Sequence, residues 1–524
     1  MTRLLYQIHR WVGIALALFM SIWFLSGLVI MYAGPSALGR AEQLAGAESL
    51  RPESGWLSAG EAWARSAAGR QGKDAVLAEA RLVRQGGMPR WLVEDTAGRR
   101  YALSAVDGGV APVPPDEAAA IARQWAGQDE AIRYVDTGPQ DSAVRNHEAL
   151  RPFHRFAVGT GSREVLISER TGEVVRDSTA FDRALYWTGN WIHLMRPLET
   201  VGLSADGRRS VLAWLGFFAF AGSLTGLIIG WQRWRPGWGG RPTYSQGRTQ
   251  PYRESWFKWH FWSGLLGGSF ALLWAFSGYL NNNPFSLFSP ATASKAEIAR
   301  YQGPSIPAAL RGWRPFAFIT EEENRDVVEL GWRRLGHEAV LVGLTRDGRR
   351  LPQPVTGTLP RFSDAALLEA AGRLAQTVPV AHHALLTDYD AYYYARHGQG
   401  PVERPLPVLQ VDLADDGNTR LYLDPQDGRL LLRQDDSRRA YRWLWSALHH
   451  WDIGWLKHRP LWDAWMLTWV LLGIVLAGSS VVIGWKRLRK TLQPGKTRPR
   501  PRSAARAPAP PVPPAPLVPE GQPR

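Results

Sequence analysis

Residues 5–28 read LYQIHRWVGIALALFMSIWFLSGL, and this stretch decides the fold because residues 256–279 repeat it as WFKWHFWSGLLGGSFALLWAFSGY. With a shift of 251 positions and no gap, seven residues are identical in the two copies. In the first copy these residues are His9, Trp11, Gly13, Phe19, Trp23, Ser26 and Gly27. An internal repeat sets the architecture of a whole chain. We therefore predict an internal parallel duplication, in which two similar halves follow one another.

Each copy predicts a membrane-spanning helix that begins at a histidine. Residues 12–32 and 261–280 carry no charged side chain, and about 20 apolar residues are long enough to span the ~30 Å hydrocarbon core of a bilayer. The residues that follow each histidine at intervals of four are small: Gly13 and Ala17 after His9, and Gly264 and Gly268 after His260. Because residues four apart share a helix face, each histidine lies above a strip of small side chains. The strip leaves room for a flat ligand or for close helix packing, and both interpretations stay open.

Two further apolar runs complete a bundle of four spans. They comprise residues 211–229 and 464–483, and each is followed by Gly-Trp. The excess of lysine and arginine lies in the N-terminus, in residues 231–258 and in the C-terminal tail. Such an excess marks the cytoplasmic side of a membrane protein. We therefore predict cytoplasmic termini, with both soluble regions on the opposite side of the membrane.

The composition excludes several classes of function. Of the 524 residues, 45% are hydrophobic, so the spans make up a minority of the chain. Cysteine is absent, which excludes disulfide bonds, thiolate nucleophiles, cysteine-bound zinc and iron–sulfur clusters. The net charge of +15 is concentrated beside the spans, so it indicates orientation in the membrane and no nucleic-acid partner. The sequence has no GxGxxG motif after a strand and no P-loop, so it shows no nicotinamide, flavin or ATP site.

The spans divide the chain into eight segments. The predicted boundaries are 1–33, 201–235, 258–280 and 461–487 for the spans, 34–200 and 281–460 for the soluble regions, 236–257 for a cytoplasmic loop, and 488–524 for a disordered basic, proline-rich cytoplasmic tail. Helix-plus-hairpin units in both soluble regions predict α+β domains. The predicted helices are 58–68, 115–125 and 363–374; the predicted strands are 81–83, 91–94, 101–106, 153–158, 164–168, 392–394, 408–411 and 420–423.

Two more histidines occupy matched positions near the other ends of the spans. The segment from Trp187 to His193 aligns with the segment from Trp443 to His449, and each precedes an even-numbered span. Both segments are rich in aromatic residues, which predicts helices at the membrane interface. His450 is a second candidate beside His449.

The length of the first span decides which histidines can meet. His9 and Tyr32 are 23 residues apart, which is roughly 35 Å at ~1.5 Å per residue. His9 and His193 therefore lie at opposite faces of the membrane. A two-fold relation between the halves brings His9 to His260 near the cytoplasm, and His193 to His449 near the outside.

Such pairs predict haem more readily than zinc. Two imidazoles that face each other across a symmetry axis can bind one haem iron axially, whereas zinc needs a third or fourth protein ligand. Two haems, one near each face, would form an electron path across the bilayer. The alternative is that these histidines are interface anchors or polar core residues. The basic residues placed to meet haem propionates are Arg10, Lys258, Arg196 and Lys457, although snorkelling to the membrane surface also explains them.

The chain resembles the PepSY-associated transmembrane proteins over about residues 3–490. The motifs that carry this resemblance are His9-Arg-Trp-x-Gly13, Tyr422-Leu-Asp-Pro-Gln-Asp-Gly428, Leu448-His-His-Trp-Asp452, Arg459-Pro-Leu-Trp-Asp463 and the Ile-Gly-Trp ends of the second and fourth spans. Better-understood members are bacterial inner-membrane reductases of ferric siderophores that carry b-type haem. The resemblance implies two periplasmic PepSY-like domains, two haems b, an electron donor in the cytoplasm or the membrane, and electron transfer outward to chelated ferric iron. It also implies that the axial ligands of the haem irons are His9, His260, His193 and His449.

Two other functions stay open at this stage. PepSY domains resemble inhibitory pro-segments, so the chain can be a non-enzymatic regulator of a periplasmic protease. It can also be an accessory subunit or permease of iron uptake, although the four apolar runs contain none of the charged residues that would favour a transporter. No hydrolase triad stands out. His382, His383 and His397, close to Tyr392-Tyr393-Tyr394, can line a substrate site, but alternation along a strand explains them as well.

Overall fold

The computed structural model describes residues 2–34, 37–71, 77–95, 98–110, 112–139, 144, 147–303, 312–318, 326–353, 359–396 and 399–492. Its helices are α1 Thr2–Ile30, α2 Arg40–Ala45, α3 Ala59–Arg65, α4 Ala67–Gln71, α5 Pro115–Ala126, α6 Ala180–Tyr186, α7 Pro197–Thr200, α8 Ala205–Arg233, α9 Ser255–Asn281, α10 Lys295–Gln302, α11 Asp364–Ala375, α12 Asp436–Tyr441, α13 Leu448–His450 and α14 Leu461–Leu492. Its strands are β1 Leu77–Gln85, β2 Met88–Asp95, β3 Arg100–Ser104, β4 Ile132–Gly138, β5 Phe153–Val158, β6 Arg163–Ser168, β7 Val174–Thr179, β8 Val327–Leu335, β9 Glu338–Thr345, β10 Arg350–Pro352, β11 Val380–Leu386, β12 Val408–Leu413, β13 Arg420–Leu423 and β14 Leu430–Gln434.

Four helices of the described chain, α1, α8, α9 and α14, are long and apolar enough to cross a membrane. The chain is therefore a membrane-spanning protein, and the four predicted spans are confirmed. The helices form a ring in which α1 and α9 each pack against both α8 and α14, so α1 and α9 are diagonal to each other. Phe24, Ala271 and Ala477 form part of the bundle core. Close packing depends on small residues, since a side-chain carbon at Gly473 would lie 2.2 Å from the ring of Phe24.

The two ends of the bundle differ in what they carry. Residues 234–254 connect α8 to α9 at the end where α1 begins, which we call the loop side. The strands lie at the other end, which we call the sheet side. The segments 187–191 and 442–447, which continue α6 and α12 as π-helical turns, pack against α1 and α9 respectively at this end. They confirm the prediction of aromatic helices before the second and fourth spans.

The described strands form three sheets. The four-stranded sheet β4–β7 packs on α5 around buried residues such as Ile121 and Phe156. The matching sheet β11–β14 packs on α11 around Leu367 and Val411. Both are the α+β units that the helix-plus-hairpin pattern predicts.

The third sheet joins the two soluble regions, which the sequence does not predict. Its order is β10-β9-β8-β1-β2-β3, and the central pair β1–β8 is antiparallel with Arg81 opposite Gly331. A shift of 250 positions relates β1 to β8, β2 to β9 and the start of β3 to that of β10. Two matched meanders thus meet edge to edge, and each covers the strand edge that the other would expose.

Several strands differ from the predictions, for local reasons. β8 and β9 were not predicted because they are buried on both faces and so lack the alternation that marks a half-buried strand. The predicted strand 392–394 is wrong. In this loop the backbone N–H groups of Tyr392 and Tyr393 donate to the carboxylate of Asp390 at 2.7 and 2.5 Å. A side chain that caps its own following backbone in this way favours a turn over a strand.

Candidate functional site: two histidine pairs

The first histidine pair lies inside the bundle towards the loop side. His9 is on α1 and His260 is on α9, and their ring centres are 6.1 Å apart. The two rings meet because α1 and α9 are diagonal and begin at the same end, as the two-fold relation predicts. Both rings line a cavity of about 300 Å³, which is within the size range of small-molecule sites.

Hydrogen bonds fix the tautomer of both rings. Nδ1 of His9 lies 3.0 Å from the carbonyl oxygen of Gly222, and because a carbonyl only accepts, Nδ1 carries the proton. Nδ1 of His260 lies 3.2 Å from Oγ of Ser480. That hydroxyl donates its own proton to the carbonyl of Leu476 at 2.7 Å, so it accepts from His260. In both neutral rings Nε2 keeps the lone pair that a metal would need.

The second pair lies at the sheet side and repeats this arrangement. The ring centres of His193 and His449 are 6.4 Å apart. Nδ1 of His193 lies 3.1 Å from Oγ of Ser26, and Nδ1 of His449 lies 3.0 Å from Oγ of Ser277. Each serine donates its proton to a carbonyl of its own helix at 2.7 Å. Each therefore accepts from Nδ1–H, and Nε2 is again the nitrogen with a lone pair.

His449, and not His450, is the counterpart of His193. The backbone carbonyl of His193 accepts from Trp23 Nε1 at 2.9 Å, and that of His449 accepts from Trp274 Nε1 at 3.0 Å. Trp23 and Trp274 are repeat-matched, as are the serines that hold the rings. The ring of His450 is exposed and lies 5.4 Å from that of His449, centre to centre. Within the described ranges, no group of three or more histidine, aspartate or glutamate side chains is arranged to hold a metal ion.

The cavity beside His9 and His260, which we call the inner cavity, has arginines in its lining. Arg10, Arg233 and Arg487 line it, and Arg233 donates to the hydroxyls of Tyr6 at 3.1 Å and Tyr252 at 2.7 Å. Arg10 thus lies beside the histidine pair. Lys258 does not: it is exposed on α9 and is not one of the cavity-lining residues among those described.

The cavity beside His193 and His449, which we call the outer cavity, is larger than the inner cavity. The cations among its lining residues are not the ones predicted. It has a volume of about 1030 Å³ and is lined by His193, His449 and Arg208, among others. Arg208 is held by an ion pair with Glu199 at 2.7 Å. Arg196, three residues after His193, is half-buried.

The remaining residues predicted as candidates, as far as the structure describes them, lie outside the linings of both cavities. The ammonium of Lys457 lies 5.4 Å from the ring centre of Tyr394, outside the described lining of the outer cavity. His382 and His383 are exposed on β11, and Nδ1 of His382 lies 3.7 Å from the carboxylate of Asp412. His397 lies outside the described residues.

The two pairs lie at opposite ends of the bundle. Ser26, which holds His193, follows His9 by 17 residues on α1, and Ser277 follows His260 by the same number on α9. At ~1.5 Å per residue this is about 25 Å. Each pair is thus close to one surface of the membrane-spanning bundle.

Some residues of the site were not predicted. Ser26 and Ser277 are identical in the repeat, which was a signal, but their role depends on where the interfacial segments pack. Gly222 contributes a carbonyl oxygen, which leaves no trace in a side-chain pattern. Arg233 was part of the basic flank of α8 and had nothing to distinguish it from its neighbours.

Comparison with known proteins identifies the first part of the chain. A family model described as the PepSY-associated TM region matches residues 6–315, which is more than half of the 524 residues. The match begins before His9 and includes α1, α8 and α9, and so three of the four paired histidines. No curated protein matches the chain.

Proposed function

Since the chain belongs to the family of PepSY-associated transmembrane proteins, we propose that it is a di-haem transmembrane reductase of iron uptake. It takes electrons from a donor in the cytoplasm or the membrane and delivers them to ferric iron held by a chelator, such as a siderophore, in the periplasm. The observation that carries this proposal is the presence of two histidine pairs with fixed tautomers at opposite ends of one bundle.

The spacing of each pair fits two imidazoles that would hold one iron between them. A metal–imidazole bond is about 2.0–2.1 Å and the nitrogen lies about 1 Å from the ring centre, so two imidazoles on opposite sides of one metal have centres about 6 Å apart. The distances of 6.1 and 6.4 Å agree with this value. The protonation of the rings also agrees with this role. Each Nδ1–H donates to a protein acceptor, so each Nε2 keeps the lone pair that a metal would need.

The chain holds each group in a specific way. His9 and His260 would hold the inner haem b and His193 and His449 the outer one, while carbonyl and hydroxyl partners of Nδ1 keep each ring in place. Arg10 and Arg233 would pair with the propionates of the inner haem. Bound haem iron supplies a one-electron carrier. Because the two pairs are about 25 Å apart, they would hold one carrier towards each surface of a core that is ~30 Å thick.

The orientation and origin of the halves are part of the same proposal. The lysine and arginine excess on the loop side favours a bacterial inner-membrane protein with cytoplasmic termini and periplasmic sheets. A parallel duplication explains why the serine, tryptophan and histidine partners of the outer pair recur in both halves. The joint sheet then corresponds to a contact between two ancestral copies.

The proposal predicts two b-type haems per chain, bound without a covalent link because the chain has no cysteine. A pyridine haemochrome assay on protein purified from haem-replete cells measures the ratio. A ratio near two supports the reductase. A ratio near zero contradicts it and favours a non-enzymatic regulator of a periplasmic protease or an accessory subunit of iron uptake.

Gly226→Ala is expected to remove the inner haem alone, so that the ratio falls to about one per chain. A side-chain carbon at Gly226 would lie 2.7 Å from Cε1 of His9, and the ring cannot yield without losing its bond to Gly222. Haem content and the redox difference spectrum measure the effect. Gly478→Ala is the matched control, because its new carbon would meet nothing within 4 Å. Equal haem content in the two variants would contradict the prediction.

A further inference from the structure

Three cations surround one tyrosine ring on the sheet side. The side-chain charges of Arg442, Lys457 and Arg396 lie 5.1, 5.4 and 5.8 Å from the ring centre of Tyr394. The carboxylate in contact with this group is that of Asp452, which accepts a hydrogen bond from the Tyr394 hydroxyl and lies 4.0 Å from Arg396. The group, which we call the cation cluster, therefore has a net positive charge.

Arg442 is the buried member of the cluster. It is 7% exposed, and its Nη2 donates to the backbone carbonyl of Asp452 at 2.7 Å. Within the described part of the chain, its Nε and Nη1 donate to no acceptor. A buried charged donor without an acceptor is costly. The fold therefore keeps a guanidinium with two unused donors beside two more accessible cations, which is the arrangement of a site for an anion supplied from outside.

Further arginines around the cluster add to the positive charge. Burial lowers the pKa of Arg404, and the charge of Arg396 lowers it further. The pKa of Arg438 is lowered by burial and also by Arg396, although Asp435 acts in the opposite direction. Like charges are thus held close together, and a bound anion would relieve their repulsion.

The shared architecture of the two halves does not require the cluster. The shift of 256 positions that aligns His193 with His449 places Tyr186 at the position of Arg442 and Val201 at that of Lys457. The first half folds into the same interfacial helix without these cations. A purely structural role common to both halves is therefore excluded for them.

The cluster is close to the outer histidine pair but distinct from the outer cavity. Arg442 precedes His449 by two helical turns, and Trp445, between them, has its ring centre 4.1 Å from that of His449. The described lining of the outer cavity contains Arg208 and Arg209 but none of the three cations of the cluster.

We propose that Arg396, Lys457 and Arg442 form a binding site for a polyanionic metal chelate, which selects chelates with negatively charged groups over neutral or cationic ones. Arg396 and Lys457 make the outer contacts, and Arg442 provides charge beneath them. That the metal is ferric iron rests on the proposed function; the binding of a negatively charged chelate does not.

The test measures binding without electron transfer. Gallium(III) citrate, an anionic chelate whose metal is not reduced as iron is, serves as the probe, and gallium(III) desferrioxamine, which lacks negative charge, serves as the comparison. Isothermal titration calorimetry with the purified full chain at low salt gives both affinities. Because no reduction occurs, the result is independent of whether the chain is a reductase, which haem content and reduction assays decide separately.

Arg396→Gln and Lys457→Gln are each expected to weaken gallium citrate binding by roughly tenfold to a hundredfold, the scale of one charge-assisted contact. The difference between variants and wild type should shrink as salt increases. Arg349→Gln, which changes an exposed arginine of the joint sheet, is the matched control and should bind as the wild type does.

Other outcomes would overturn the proposal. Equal affinity for the two gallium chelates, or unchanged binding in both surface variants, would contradict it even if Arg442→Gln fails to fold. If Arg442→Gln folds and loses the outer haem while gallium citrate binding is unchanged, the guanidinium meets a haem propionate and the anion site is wrong. Monodispersity on size exclusion establishes folding for each variant.

Discussion

Replacing His9 by alanine is expected to remove one of two haems and to stop electron transfer across the bundle altogether. The reason is that in the proposed pair both imidazoles would hold the same haem, since the ring centres of His9 and His260 are 6.1 Å apart. His260→Ala should therefore give the same spectrum, and the double variant should resemble either single one. Effects within one ligand pair cannot add. Redox difference spectra of each purified variant measure the outcome.

The outer pair should behave in the same way, with a different haem lost. His193→Ala and His449→Ala should each leave the inner haem reducible from the cytoplasmic side, but the electrons should not reach an external acceptor. Inner-pair variants should leave the outer haem oxidised when reductant is supplied on the cytoplasmic side only. A single carrier leaves much of the ~30 Å core uncrossed, so all four variants should lose transmembrane reduction.

His450→Ala is the matched control for His449→Ala. His450 is adjacent in the chain, but its carbonyl accepts from Trp462, whereas the repeat-matched Trp274 and Ser277 contact His449, so its loss should leave both haems in place. The reverse result, a silent His449→Ala and a haem-free His450→Ala, would move the ligand by one residue. Loss of the same haem in His9→Ala and His193→Ala would contradict the pairing itself.

The repeat made the pairing of histidines predictable, because two-fold symmetry and helix length together leave one arrangement. The haem itself stays a prediction. The tautomers of the paired histidines could not be predicted from the sequence, since they depend on which hydroxyl or carbonyl packs against each Nδ1. Ser26 and Ser277 were visible as identities in the repeat, whereas the carbonyl of Gly222 was not visible at all.

The soluble regions show where local pattern fails. The strands of the two four-stranded sheets alternate or follow turn signals, and several were predicted. The joint sheet depends on pairing between β1 and β8, which are 250 residues apart, and no local signal encodes such a partner. Its consequence is that the two soluble regions share one core, in which Trp91 and Trp332 are both fully buried.

Glu329→Ala is expected to destabilise this joint sheet by about 3 kcal/mol or more, the scale for breaking a buried ion pair from one side. Glu329, on β8, is 3% exposed, forms an ion pair with Arg40 at 2.6 Å and accepts a hydrogen bond from Arg81, on β1, at 3.1 Å. Arg81 also pairs with Glu173 at 2.8 Å, which belongs to the first half. Removing the Glu329 carboxylate weakens the charged contacts that join the halves and leaves buried cations with fewer partners.

The pKa of Glu329 determines how this loss of stability depends on pH. Burial alone would raise the pKa of Glu329, but the charges of Arg40 and Arg81 lower it from 4.5 to about 2. A lowered pKa contributes stability that is fully present above pH ~4.5 and is lost as the pH falls towards 2. The stability difference between wild type and Glu329→Ala should therefore be constant near neutral pH and shrink below pH ~4.5.

Thermal unfolding in detergent, followed by tryptophan fluorescence, measures this difference, since Trp332 lies on the same strand as Glu329. Asp347→Ala is the matched control on the turn after β9. Its ion pair with Arg349 is more than 60% exposed on both sides, and such an exposed pair contributes little to stability. An equal loss in the two variants would show that the buried charges do not hold the halves together, and the joint sheet would then depend on its apolar core and strand pairing alone.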